Sequence, residues 1–206
     1  MAALLTNFRN TMILSVVLAL IMVWAWGNAH GQFDAIFWQA TFRWMHVVFG
    51  ILWIGLLYYF NFVQIRKMPD IPAELKPAIS KHIAPEALFW FRWAALCTVL
   101  AGIGIALLRG RDYAEGVFSF GAMHPAGEAF NKGYALMGIG IWLAIIMFLN
   151  VWGVIWPNQK IALGIKEADA DAKARSARIA TLASRVNTLL SLPMLTSMAM
   201  FQTLGG

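Results

Sequence analysis

The chain has one cysteine, Cys97, four histidines and ten acidic residues among its 206. A single thiol excludes an intrachain disulfide, a CxxC redox pair, a multi-cysteine zinc site and the CxxCH attachment of a c-type haem, so any cofactor must be held without thioether bonds. Charge is equally scarce: 13% of residues are charged, against about 25% in soluble domains, while 60% are hydrophobic. No GxSxG, HExxH, Walker-type or Rossmann pattern occurs, and no carboxylate falls well inside an apolar run, which argues against a hydrolase or a proton pump. A mean hydropathy of +0.66 indicates an integral membrane protein instead. Five spans with short connections would consume most of the chain, which excludes a two-domain soluble enzyme and leaves residues 1–206 as one membrane domain.

About 20 apolar residues are needed to cross the hydrocarbon at 1.5 Å rise each. Four stretches free of Asp, Glu, Lys and Arg reach that length: between Arg9 and Asp34, between Arg43 and Arg66, between Lys132 and Lys160, and from Val186 onward. A fifth, from Ala87 to Leu108, is interrupted only by Arg92, close enough to one end to snorkel. The expectation is an all-α, polytopic bundle with spans at about 11–29, 42–64, 87–108, 133–156 and 186–204. Pro157 is expected to end the fourth, and Pro193 to kink the fifth from within. The first run is read as a retained span rather than a signal peptide.

Segments 65–86 and 157–185 carry ten Lys and Arg, whereas 30–43 and 109–132 carry only Arg43, Arg109, Arg111 and Lys132. The positive-inside bias therefore places the N-terminus in the cytoplasm. Trp24, Trp26, Trp38 and Trp44 then fall at outer ends and Trp90, Trp93, Trp152 and Trp156 at inner ones, as an aromatic belt requires. The net charge of +6 is a topology signal for a lipid bilayer partner, not a nucleic-acid footprint. Residues 162–185 are alanine-rich, with Asp169 four before Lys173 and Asp171 four before Arg175, so a cytoplasmic helix laced by these pairs is expected. The Gly- and Phe-rich stretch 109–132 yields no firm structure.

Two groups of residues could carry chemistry. His46 is the one histidine inside an expected span, where ionisable groups are costly. His46, Phe49, Gly50, Trp53 and Leu57 share a stripe, which suits a haem b with His46 as axial metal ligand and Trp53 as a wall. It suits equally a packing face in which the imidazole bonds a neighbouring helix. A second imidazole would come from His30 or His124, both expected on the outer side, whereas His82 lies on the inner side. The other group is Asn61, Gln64, Arg92, Asn150 and Asn187, all expected near the cytoplasmic face. Amides beside a permanent cation could bind a planar, polar, anionic small molecule, or simply cap and join helices.

The blocks from Arg43 to Gln64, Ala87 to Trp93, Asn150 to Lys160 (with Trp156-Pro157-Asn158-Gln159-Lys160) and Ser184 to Met194 (with Asn187-Thr188-Leu189-Leu190-Ser191-Leu192-Pro193-Met194) resemble the membrane domain of the bacterial membrane-bound urate hydroxylase (urate oxidase) family. The resemblance implies a multi-pass protein of the bacterial inner membrane that oxidises urate on the cytoplasmic side and passes electrons to a cytochrome c domain. That domain is expected to be missing here, leaving a separate cytochrome or quinone as acceptor. Where the resemblance implies a histidine after the Pro193-Met194 block, this chain reads Thr196-Ser197-Met198-Ala199-Met200. The alternative expectation is a non-catalytic accessory subunit of a larger respiratory or photosynthetic complex.

Overall fold

A computed structural model describes residues 2–123 and 130–204, and among them every regular element is helical. After a helical turn, Ala2–Leu5, six helices follow: α1, Phe8–His30; α2, Ala35–Asp70; α3, Lys76–Leu108; α4, Arg111–Phe118; α5, Lys132–Ala162; and α6, Ala170–Leu204. Of these, α1, α2, α3 and α5 are long and apolar enough to cross a membrane. The protein is a multi-pass membrane protein.

Local chemistry sets the boundaries. The Asn7, Asp34 and Asn131 side chains each accept a backbone N–H in the first turn of α1, α2 and α5. Gly31 ends α1 in the left-handed conformation, and Gly110 divides α3 from α4 at φ 98°. The stretch 109–132 thus contains a short helix that hydrophobic periodicity did not reveal, with Arg111 paired to Glu115 one turn later.

The expected fifth span and the expected cytoplasmic helix prove to be two parts of one helix, α6. Nothing in its alanine-rich first half breaks the ladder, and Pro193 lies within it without interrupting it. Neither the pair Asp169 with Lys173 nor the pair Asp171 with Arg175 closes as an ion pair; Asp169 instead accepts the Ala172 N–H at 2.6 Å as an N-cap. Nor does Pro157 end α5, which continues to Ala162. A π-helical turn at Val151–Ile155 shifts the hydrogen-bond register just before it, so the proline stands at the start of a fresh α-helical turn, where its missing N–H costs little. Similar π-turns interrupt α2 at Tyr59–Gln64 and α3 at Ile79–Ile83.

Helices α2 and α3 pack lengthwise, as do α5 and α6. Trp53, Leu57, Phe91, Met147 and Val151, all nearly inaccessible, join the pairs in one core. A smaller cluster of Ala106, Tyr113, Val117 and Phe201 closes the end beneath α4. The buried stripe of α6 is unusual for a core: Ser176, Ala180, Ser184, Asn187, Ser191, Met194, Ser197 and Phe201. Lipid tails are as apolar as leucine, so helix association in a bilayer depends on close packing and hydrogen bonds, which small polar residues supply. Asn150 Nδ2 donates to Asn187 Oδ1 at 2.7 Å and to the Ala183 carbonyl at 2.9 Å, and Asn187 Nδ2 donates to the Met147 carbonyl at 3.0 Å. The Ser197 hydroxyl donates to the Leu136 carbonyl. Helix α1 stands apart, with Gly27 its one buried described residue, covered by the Phe33 ring.

Candidate functional site

Two cavities open at opposite ends of this packing. The larger, about 550 Å³, lies among α2, α3, α5 and α6 and is lined mostly by apolar atoms. His46 is half-buried on its wall. Its Nδ1 lies 2.8 Å from the Thr98 backbone oxygen. A carbonyl can only accept, so Nδ1 carries a proton, and in the neutral ring Nε2 keeps its lone pair. Histidines that bind metals are fixed by this kind of bond to a carbonyl. Space for the ring comes from Gly102: a methyl there would stand 3.2 Å from His46 Nδ1 and Cε1. Thr98 turns its hydroxyl back onto the Ala94 carbonyl at 2.7 Å.

Other lining groups make the cavity chemically uneven. Trp53 forms part of the wall, and its indole N–H is buried with no hydrogen-bond partner. The Tyr58 hydroxyl lies 3.0 Å from Ser191 Oγ. Arg43 stands one turn from His46, and Arg109 lies over the rings of Tyr113 at 4.4 Å and Phe201 at 5.8 Å. Neither arginine pairs with a carboxylate among the described residues. Burial pushes the Tyr113 phenol above its usual range, with Arg109 opposing, so the phenol stays protonated near neutral pH. Met137, Met194 and Met198 add three thioethers to the lining.

The second cavity, about 430 Å³, is framed by the three π-turns, from which Phe60, Gln64, Ser80 and Ile155 reach it, and by Ala177, Thr181 and Ser184 of α6. Lys76 and Gln159 complete its polar side, and no carboxylate lines it. The Phe60 and Phe91 rings, edge to face at 5.7 Å, give it an apolar floor. Gln64 Oε1 is buried without a partner. Asn61 Nδ2 donates to Ser184 Oγ at 2.8 Å and to the Leu57 carbonyl at 2.9 Å, while its Oδ1 is buried and unbonded. π-Turns concentrate at functional sites because they re-aim side chains out of α register.

The residues singled out from the sequence divide accordingly. His46 and Trp53 line the larger cavity and Gln64 the smaller, which Asn61 reaches through Ser184. Asn150 and Asn187 satisfy each other between α5 and α6, lining neither cavity. Arg92 also lines neither: its guanidinium lies 3.8 Å from the Trp156 ring centre and 5.3 Å from that of Phe89, with one nitrogen buried and unbonded. His30 is exposed at the end of α1, 3.8 Å from Asp34, and His82 lies in the π-turn of α3. Neither approaches His46 along the cavity lining. His124 lies outside the described residues. Arg43, Arg109, Tyr58 and Met198 in one cavity, and Lys76, Ser80, Gln159, Thr181 and Ser184 in the other, had not been singled out as site residues. Arg43, three before His46, was visible in the helical spacing.

Fold and cavities define the class: a polytopic helical membrane protein with one apolar, histidine-bearing cavity and one polar cavity. The family described as urate oxidase N-terminal matches residues 112–201, 90 of the 206, which run from α4 to near the end of α6. This part of the chain is urate-oxidase-like. The resembling blocks at 150–160 and 184–194 lie within the match, and those at 43–64 and 87–93 outside it. No curated protein and no solved structure matches.

Proposed function

We propose that the protein is a urate-oxidase-like redox protein of the bacterial inner membrane, in which the larger cavity takes a haem b and the smaller a polar, planar substrate. The observation that carries this reading is His46, its Nδ1–H held by the Thr98 carbonyl on the wall of a cavity within the roughly 300–1,000 Å³ range of cofactor sites. The residues present fit such a group. His46 Nε2 would ligate its iron, Trp53 would flank it, and Arg43 and Arg109 would pair with its two carboxylates. A bound haem supplies one-electron transfer. The chain's own residues fix the imidazole, exclude water with the Ile54, Ile141 and Ala144 side chains, and hold the carboxylates.

The family match supports urate as the substrate class, and the second cavity suits it: amides of Gln64 and Gln159, hydroxyls of Thr181 and Ser184 and the Lys76 ammonium surround an aromatic floor. Electrons withdrawn from the substrate pass to a separate cytochrome c or to quinone, with the smaller cavity toward the cytoplasm. The test is a reduced-minus-oxidised visible spectrum of the purified chain. A Soret band that disappears in His46→Ala is expected, and a colourless, folded wild type would sink the reading.

The exposed α1 favours a second reading, an accessory subunit of a larger complex, since this largely apolar helix of 23 residues has almost no partner within the chain. Co-purification with a large complex at fixed stoichiometry, without pigment of its own, would select it.

A further inference from the structure

The proposed haem site has one imidazole and three thioethers, and the helix registers single out one of the three. Ala106 of α3 and Phe201 of α6 belong to one cluster, with Arg109 reaching over the Phe201 ring. Both helices run toward that end of the bundle, so one turn back from Ala106 is Gly102, and one turn back from Phe201 are Ser197 and Met198. Gly102 is the residue against which the His46 ring packs. His46 and Met198 therefore lie in one layer, on α2 and α6, with both side chains on the wall of the same cavity.

The other thioethers fall outside that layer. Met137 packs with the Ala106, Tyr113 and Phe201 cluster, toward α4. Met194 is one turn deeper than Met198 and is buried within the core around Trp53 and Met147, against whose edge Met198 packs. Met198 is also positioned from behind. A methyl on Gly140 would meet its Cγ and the Ser197 hydroxyl, so the bare backbone of α5 and the Ser197 bond to Leu136 set the height of this turn of α6.

We propose that Met198, together with His46, would ligate the iron of a haem taken up by the larger cavity. The inference rests on the haem reading above. Thioether ligation raises the reduction potential relative to two imidazoles, which suits a centre that accepts electrons from an organic substrate.

The experiment compares the full-length, haem-containing chain, purified in detergent, with Met198→Leu, Met198→His and Met194→Leu. Leucine keeps the volume and removes the sulfur, so folding is preserved. In the oxidised wild type a thioether-to-iron charge-transfer band is expected in the near infrared. It disappears in Met198→Leu, whose iron becomes high-spin, and survives in Met194→Leu. Met198→His restores a low-spin spectrum at a lower potential. A haem that is lost in His46→Ala but spectrally unchanged in Met198→Leu overturns this inference alone; loss of the band in Met194→Leu instead overturns it too. A wild type without haem overturns both readings.

Discussion

The two cavities share four helices and differ in how the backbone around them is built. Around His46 the helices keep α register, and the space comes from glycine: Gly102 seats the imidazole, and Gly50 and Gly55 lie on the same wall. Around Gln64 the space comes from three π-turns, which turn Phe60, Gln64, Ser80 and Ile155 toward one point. The first method leaves mostly apolar walls with one fixed nitrogen and an unbonded indole N–H; the second exposes the Gln64 amide oxygen, whose bonding capacity the protein does not fill. A cofactor held permanently suits the first, and a polar molecule that exchanges suits the second. Between them on α6 lies Asn187, after Ser184 of one cavity and before Met194 of the other.

Asn187 should therefore fail to distinguish the two. It is completely buried, accepts from Asn150 and donates to Met147. Interhelical hydrogen bonds in membranes contribute about 0.6 kcal/mol each on average, and an unpaired buried amide adds its own cost, so Asn187→Leu should lose roughly 2 kcal/mol. Thermal unfolding in detergent measures this. Both haem retention and urate-dependent reduction should fall together, and loss of only one would show that the cavities do not share this support.

The next effect separates them. Gly102→Val places a branched side chain where even a methyl comes within 3.2 Å of the His46 ring. Displacing a ligand's orientation costs about 10–100-fold in metal affinity, so the Soret band should largely vanish on dilution. Binding of urate to the second cavity, read by equilibrium dialysis, should be unchanged. Gln64→Leu does the reverse. One hydrogen bond of about 1.4 kcal/mol is worth a factor of about ten, so the KM for urate should rise about tenfold with an unaltered haem spectrum. An unaltered KM would remove Gln64 from the substrate site.

How much of this was legible follows from which physics each residue expresses. Hydrophobic length announced the apolar helices, and the stripe left open between a cofactor wall and a packing face turns out to be partly each: His46, Gly50 and Trp53 line the larger cavity, while Leu57 packs in the core. The smaller cavity was only half visible, since a π-turn breaks the spacing rules by which residues are assigned to faces. Asn61 and Gln64 could be placed near one end of the bundle, but not Ser80 or Thr181 beside them. The continuity of α6 was not legible, because the charge that stops at Arg185 divides it into a polar and an apolar part, whereas its buried serines form one packing face along both. Depth alone grouped Asn150, Asn187 and Arg92 with Gln64, because depth carries no information about the direction of a side chain.

Arg92 provides the finest test of that last point. At the right depth for the substrate, it nevertheless lies against Trp156 and Phe89 and lines neither cavity. A cation over an aromatic face contributes about 0.5–1 kcal/mol at exposed positions and more when desolvated. Arg92→Ala should lower the unfolding temperature slightly, by less than Asn187→Leu does, and Arg92→Lys should recover part of it. Neither variant should change the KM for urate or the Soret band, since the guanidinium acts on the Trp156 end of α5 and not on either cavity. A rise in KM with Arg92→Ala, undiminished by the lysine variant's recovered stability, would instead place the guanidinium on the substrate and extend the polar cavity toward Trp156.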